Sequence, residues 1–263
     1  KLLAKNSNNK CVKIKKKKTV IITGGNGFLG SQFVKAFLEK ESNVLILDIS
    51  KNKKKNPRLF YYKCDITNEA SVARISKEIH KKFKKIDVLI NNAAIDHLPN
   101  QKNNSNKLED FALDKWNNEI NVGLTGSLNC TKYFGKLMAK QKNGGVILNI
   151  SSDLGIIAPN QKIYKKFFVK PVTYSVIKHG IIGMTKYAAS YWGKKNVRCN
   201  ALAPGGINRS FNKSFVNKIK KLIPLNRMAK INEYNNIVLF LCSDDSSYIT
   251  GTTIISDGGR TII

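Results

Sequence analysis

Two residues four apart, Tyr174 and Lys178 in "YSVIKHG", set the chemistry that the rest of the chain has to serve. On a helix that spacing puts both side chains on one face. A phenol with a pKa near 10 is a poor base at neutral pH. An ammonium about 5 Å away, at an effective dielectric of about 20, favours the phenolate by roughly 3 kcal/mol, on the order of two pKa units. Tyr174 then takes a proton from a hydroxyl, or returns one in the reverse direction. A second stretch, "TGGNGFLG" at 23–30, is a glycine turn between an apolar strand and a helical pattern. The start of such a helix carries unpaired N–H groups and a positive dipole end, which bind anions. Gly24 permits the tight turn, Gly27 lets a pyrophosphate approach the backbone, and Gly30 lets helix and strand pack closely. Residues 25–30 also fit G-x-G-x-x-G. Asp48 closes the next strand, "VLILD", about twenty residues on, where a ribose 2′-hydroxyl needs an acceptor. A 2′-phosphate there meets a like charge, so Asp48 favours NAD over NADP. The lysines of "SKNKKK" just after it are the one feature that could neutralise a phosphate.

Alternating strands and helices must position these groups. Seven apolar runs read as strands: Val20–Ile22, Val44–Leu47, Leu59–Tyr62, Val88–Ile90, Val146–Ile150, Val197–Leu202 and Thr253–Ile255. Most are continuously apolar, as suits parallel strands buried on both faces. Val72, Ile75, Ile79 and Phe83 mark one helix face, with Thr67 as its N-cap. Trp116 to Met138 and Tyr174 to Trp192 are long enough for two more helices. The expected fold is α/β: a Rossmann-type doubly wound, mostly parallel seven-stranded sheet with helices on both faces. Residues 19–263 form a single domain behind a basic N-terminal tail, 1–18, and "LPNQKNNSNKLED" reads as a polar loop.

The 263 residues are 42% hydrophobic, enough for one core, and no apolar run is long enough to span a bilayer. The start of the chain lacks the apolar middle of a secretory signal. Five scattered cysteines, Cys11, Cys64, Cys130, Cys199 and Cys242, read as reduced thiols of a cytoplasmic protein. His80, His97 and His179 have no ligand spacing, so no metal is expected. The net charge of +29 raises the question of a nucleic-acid binder. The lysines are spread along the whole chain together with Asn and Ile, which share A/T-rich codons, and no nucleic-acid module accompanies them. Neither a nucleic-acid nor a membrane partner is expected.

"NNAA" at 91–94, "NISSD" at 149–153, "YSVIK" at 174–178, "PGG" at 204–206 and "DGG" at 257–259, together with the glycine turn, resemble the short-chain dehydrogenase/reductase family. The resemblance runs from Thr19 to near the end of the chain. It implies an NAD(P)-dependent oxidoreductase that moves a hydride between a nicotinamide and a secondary alcohol or ketone, with Ser152, Tyr174 and Lys178 catalytic. Ser152 would hydrogen-bond the reacting oxygen and steady its charge. Lys178 would also bond the nicotinamide ribose, and Tyr174 adjoins the same ring. The remaining cofactor contacts carried over are Phe28 and Leu29 beside Gly24, Gly27 and Gly30; Asp65 and Ile66 on the adenine side; Asn92 and Ala93 at a strand end; and Pro204, Gly205 and Ile207 over the nicotinamide. Family members are commonly homo-oligomers, so a dimer or tetramer is expected.

Three departures stand out. The glycine spacing is that of the family's extended branch of sugar-nucleotide epimerases and dehydratases, with Phe28 where the short branch has its second glycine. An NAD-retaining enzyme of that kind, or a non-catalytic dinucleotide-binding protein, is the alternative reading. Gly123, in "INVGLTGSL", stands where many members carry a catalytic Asn, and Asn121 would point elsewhere on a helix. Extra residues in "IIAPNQKIYKKFFVKPVT" separate Ser152 from Tyr174 and would shape a pocket or lid. Their Lys162, Lys165, Lys166 and Lys170 suggest an anionic sugar derivative as substrate. The combination is similar to a branch associated with surface-glycan and nonulosonic-acid sugars.

Overall fold

A computed structural model of the chain describes residues 17–51, 55–99, 106–165 and 168–263. Seven strands form one sheet: β1 (Thr19–Thr23), β2 (Asn43–Asp48), β3 (Leu59–Lys63), β4 (Val88–Asn91), β5 (Gly145–Ile150), β6 (Val197–Pro204) and β7 (Thr253–Ser256). Their order is β3-β2-β1-β4-β5-β6-β7, and every pairing is parallel. The expected mostly parallel sheet is thus wholly parallel, and all seven apolar runs are strands.

Alternation along each strand sorts side chains to two cores. Ile21, Leu45, Leu89 and Ile147 face one side. There they meet α2 (Glu69–Phe83), α4 (Gly126–Met138) and α5 (Val172–Trp192) through Ile75, Phe134 and Ala188. Val20, Ile22, Ile46, Ile90 and Leu148 face the other. Their partners are Phe33 and Phe37 of α1 (Phe28–Glu39) and Val238 and Leu241 of α7 (Asn235–Leu241). Two layers of helix need strands that are apolar at every position, which is why the runs lack an in/out pattern.

Two local expectations are corrected. The cap of α2 is Asn68, whose side chain accepts from the Ser71 N–H at 2.9 Å. Thr67 instead donates its hydroxyl to Asp65 Oδ1 at 2.7 Å, so its oxygen sits in the turn before the helix. The single helix expected over 116–138 starts earlier, as α3 (Leu113–Ile120), and passes through a wide π-type turn at Asn121–Thr125 before α4. Of the basic tail, residues 1–16 lie outside the described residues; Lys18 Nζ donates to the Cys242 carbonyl at 2.8 Å. Residues 100–105 of the polar loop and Cys11 likewise lie outside them. The four described cysteines are buried free thiols.

Candidate active site

Strand order reverses between β1 and β4, and a crevice opens at their carboxyl ends. Side chains pin its walls. Thr23 Oγ1 accepts from the N–H groups of Asn92 (3.0 Å) and Ala93 (3.1 Å). The Asn92 amide returns bonds to the carbonyls of Thr23 and Gly24. Gly24 has φ +63°, and a Cβ there would lie 2.8 Å from Ala93 Cα. A Cβ on Gly30 would lie 2.8 Å from Asn92 Nδ2. Both positions therefore demand glycine, one by backbone conformation and both by close approach. Gly25 packs on Ile46 of β2 instead. The turn opens α1 with no side-chain cap, which leaves its first N–H groups for an anion.

The crevice widens into a cleft of about 820 Å³, within the range of small-molecule and cofactor sites. Every residue named from the sequence for cofactor or catalysis lines it. The glycine turn with Phe28 and Leu29, then Asp48, Asp65 and Ile66, form one end. Asn92 and Ala93 lie at the middle, and Ser152, Tyr174, Lys178, Pro204, Gly205 and Ile207 surround the other end. The glycine cradle and the donor-rich helix start fit a dinucleotide. Asp48 also organises the turn: its carboxylate accepts from the Asn26 N–H (3.0 Å), the Ser50 N–H (3.0 Å) and the Ser50 hydroxyl (2.8 Å). A carboxylate has about four lone-pair sites, so one remains for a ribose hydroxyl.

Beneath the far end, a buried polar chain ties the scaffold together. The Asn91 amide donates to Thr131 Oγ1 and Asn149 Oδ1, and the Asn149 amide donates to Thr185 Oγ1. It joins β4 and β5 to α4 and α5. Gly155, after β5, packs so closely on α5 that a Cβ would meet the Lys178 carbonyl oxygen at 2.7 Å. Ser152 and Tyr174 both line the cleft beside this contact.

The electrostatics differ from the sequence expectation. Burial pushes the Tyr174 hydroxyl upward; the carboxylates of Asp96 and Asp153 add to the rise, and the neighbouring Ser152 opposes it. Burial likewise draws the Lys178 ammonium down to about 8, against the pull of Asp96 and with the push of Lys170. Lys178 Nζ lies 5.7 Å from the Tyr174 ring centre and donates to the Ile150 carbonyl at 2.8 Å. Removing both groups from water costs their charged forms more than their mutual attraction returns. The lysine alone does not acidify the phenol.

The structure picks out one of the loop lysines and adds residues that the sequence did not single out. Lys170 Nζ sits 3.8 Å above the Tyr174 ring centre and pairs with Asp96 at 2.8 Å. Arg209 approaches the other Asp96 oxygen at 3.6 Å, and its guanidinium lies 3.8 Å over the Phe28 ring. These charges hold Asp96 below the ordinary carboxylate range, although burial alone would raise it. His97 pairs with buried Glu119 at 2.7 Å, and Thr173 donates to the other Glu119 oxygen. Of the three described loop lysines, only Lys170 lines the cleft; Lys162 and Lys165 are exposed away from it, and Lys166 lies outside the described residues. Gln161 closes the loop by bonding the Lys170 N–H and C=O, both at 3.0 Å. Tyr164 then stacks on Phe215 of α6 (Lys213–Lys220).

Gly123 is buried in the π-type turn, where a Cβ would meet Ile177 Cγ2 at 2.5 Å. No side chain fits there while Ile177 faces it. Asn121 is exposed, and its side-chain oxygen accepts from the Thr125 hydroxyl at 3.3 Å.

The chain is similar along most of its length to known oxidoreductases. A family described as enoyl-(acyl carrier protein) reductase matches residues 27–261. The chain is 32% identical to the 3-oxoacyl-(acyl-carrier-protein) reductase FabG of Thermotoga maritima, over 93% of this chain and 98% of that protein. It is also 32% identical to the NAD-dependent glycerol dehydrogenase of Listeria innocua, over 93% and 94%. Among solved structures, a short chain dehydrogenase from Leptospira borgpetersenii with bound NAD+ superposes with a TM-score of 0.86 at 31% identity, over 93% of each chain.

Proposed function

The chain belongs to the short-chain dehydrogenase/reductase family and is a nicotinamide-dependent oxidoreductase of CH–OH groups; on that premise we propose that it uses NAD and acts on an anionic sugar derivative, of the kind handled in surface-glycan biosynthesis. One observation carries the substrate reading. The end of the cleft around Tyr174 holds three cations, Lys170, Lys178 and Arg209, against one carboxylate, Asp96. Asp153 is matched by Arg260. The surplus of positive charge in a partly desolvated cleft attracts a phosphate or carboxylate on the substrate.

When bound, the dinucleotide supplies the hydride acceptor or donor and, in its oxidised form, a further positive charge. The glycine turn and α1 start would hold its pyrophosphate, and Asp48 its adenine ribose. Asp65 and Ile66 would flank the adenine, and Asn92, Ala93, Pro204, Gly205 and Ile207 the nicotinamide. Tyr174 gives a proton to the carbonyl oxygen in reduction, or takes one from the hydroxyl in oxidation. Ser152 orients that oxygen. Lys178, fixed by the Ile150 carbonyl, would bond the nicotinamide ribose. Asp48 supports NAD, since its carboxylate opposes a 2′-phosphate; the glycerol dehydrogenase, itself NAD-dependent, supports a polyol-like substrate.

The test is a panel of phosphorylated, carboxylated and neutral sugars with NAD or NADP, read by absorbance of the reduced coenzyme. Charged sugars turn over best, with NAD preferred by about tenfold or more, and Arg209→Gln raises KM for charged sugars alone. Best turnover of neutral polyols, with KM unmoved by Arg209→Gln, overturns the substrate reading.

A further inference from the structure

A second lysine stands closer to the phenol than its helix partner does. Lys170 Nζ lies over the Tyr174 ring, 3.8 Å from its centre, whereas Lys178 Nζ lies 5.7 Å away. Several bonds fix that position. Asp96 Oδ1 accepts from the ammonium at 2.8 Å, and the His97 carbonyl accepts from it at 3.4 Å. Gln161 bonds both backbone groups of Lys170, and the Asn106 amide donates to the Val169 carbonyl at 2.9 Å. Lys170 is only 8% exposed, so its charge is little screened. Asp96 is shared, because Arg209 approaches its other oxygen at 3.6 Å. Two cations thus meet one carboxylate, which leaves a positive balance against the ring.

A neutral phenol holds a cation on its ring face only through the ring quadrupole. Once the phenol is ionised, the same cation meets a full opposite charge. We propose that Lys170 is a positioning residue for Tyr174: seated on the ring face by Asp96, its ammonium stabilises the phenolate left when the hydroxyl gives up its proton. The proposal rests on the reading of Tyr174 as the acid–base group. In reduction the Tyr174 O–H bond breaks, the proton goes to the substrate oxygen, and one negative charge stays on the phenol beside Lys170. In oxidation the proton returns. The charged and titratable groups around Tyr174 come from several segments. Lys178 lies on its own helix, Lys170 just before it, and Asp96 after β4 with Arg209 behind it. Asp153 lies after β5 with Arg260 behind it, and Tyr164 comes from the loop. Glu119 of α3, paired with His97, bonds Thr173 next to the tyrosine.

The experiment follows tyrosinate absorbance against pH in protein saturated with NAD, with the Tyr174→Phe signal subtracted. Lys170→Met raises the midpoint by about one pH unit or more, and Lys170→Arg undoes most of that rise. Asp96→Asn lowers the midpoint by about one unit, because the cation then acts unopposed. The double variant, Lys170→Met with Asp96→Asn, falls between the two single ones. NADH binding by fluorescence identifies variants that fold. Should Lys170→Met fail to bind, the double variant set against Asp96→Asn isolates the lysine in the same way, with the higher midpoint. A midpoint that loss of Lys170 leaves unmoved overturns the proposal, and so does a Lys170→Arg shift as large as that of Lys170→Met. Absence of any Tyr174-dependent titration in the unaltered protein instead overturns the acid–base reading, and the proposal with it.

Discussion

The two ends of the cleft are built from different physics. At the glycine end, recognition is a matter of shape: a backbone turn, close approach of Gly24 and Gly30 to the β4 end, and one carboxylate, Asp48. At the tyrosine end, it is a matter of charge. Asp96, Lys170, Arg209, Asp153 and Arg260 arrive from five separate stretches of chain and meet around one phenol. The difference teaches where variation is tolerated. A shape built of glycines fails under any added atom, whereas a charge cluster can be retuned by exchanging its members.

The largest expected effect separates the two ends outright. Tyr174→Phe should lower turnover by about 10²- to 10⁴-fold while NADH affinity, measured by fluorescence titration, stays close to that of the unaltered protein. Equal losses in both would mean the ends are not separate. Next comes Gly24→Val, where the positive φ and the Ala93 contact place strain of about 1–3 kcal/mol. NADH binding should weaken by about ten- to a hundredfold, with no selective change in substrate KM.

The Gly123–Ile177 contact offers a sharper test within the tyrosine end. Gly123→Asn should lower stability in denaturant unfolding by about 1–3 kcal/mol through overpacking. Adding Ile177→Ala should recover most of that loss. A Gly123→Asn protein as stable as the original would remove the steric account. The smallest effect is a pH slope. The folded-state value of Lys178, about 8, lies below the ordinary lysine value of about 10.4. Between those values the unfolded chain binds more protons, so stability of coenzyme-free protein rises with pH there. Lys178→Met should flatten that rise in urea unfolding at pH about 8 and about 9.5; an unchanged slope assigns it to other groups.

Legibility in the sequence follows the same division. The glycine turn, Asp48 and the Tyr174–Lys178 pair each depend on residues close in the chain, and local spacing carries them. The acidification expected from Lys178 did not follow, because burial is a property of the whole fold and here outweighs one neighbouring charge. Lys170 was visible only as one of four loop lysines; nothing in "KKFFVKPVT" says which of them turns inward. The Gln161 clasp and the packing of Tyr164 on α6 decide that. Arg260 after "DGG" and Asp153 after "NISS" are ordinary residues until β5 and β7 are set in one sheet.

By itself, the sequence determined the seven strands, the glycine turn and the family chemistry, since strand apolarity, helix spacing and glycine requirements act over a few residues. Only the tertiary structure decided the charge around Tyr174, the exclusion of any side chain at Gly123 and the partner of Asp153. Those depend on desolvation and on contacts between segments as much as a hundred residues apart, and no local pattern records either.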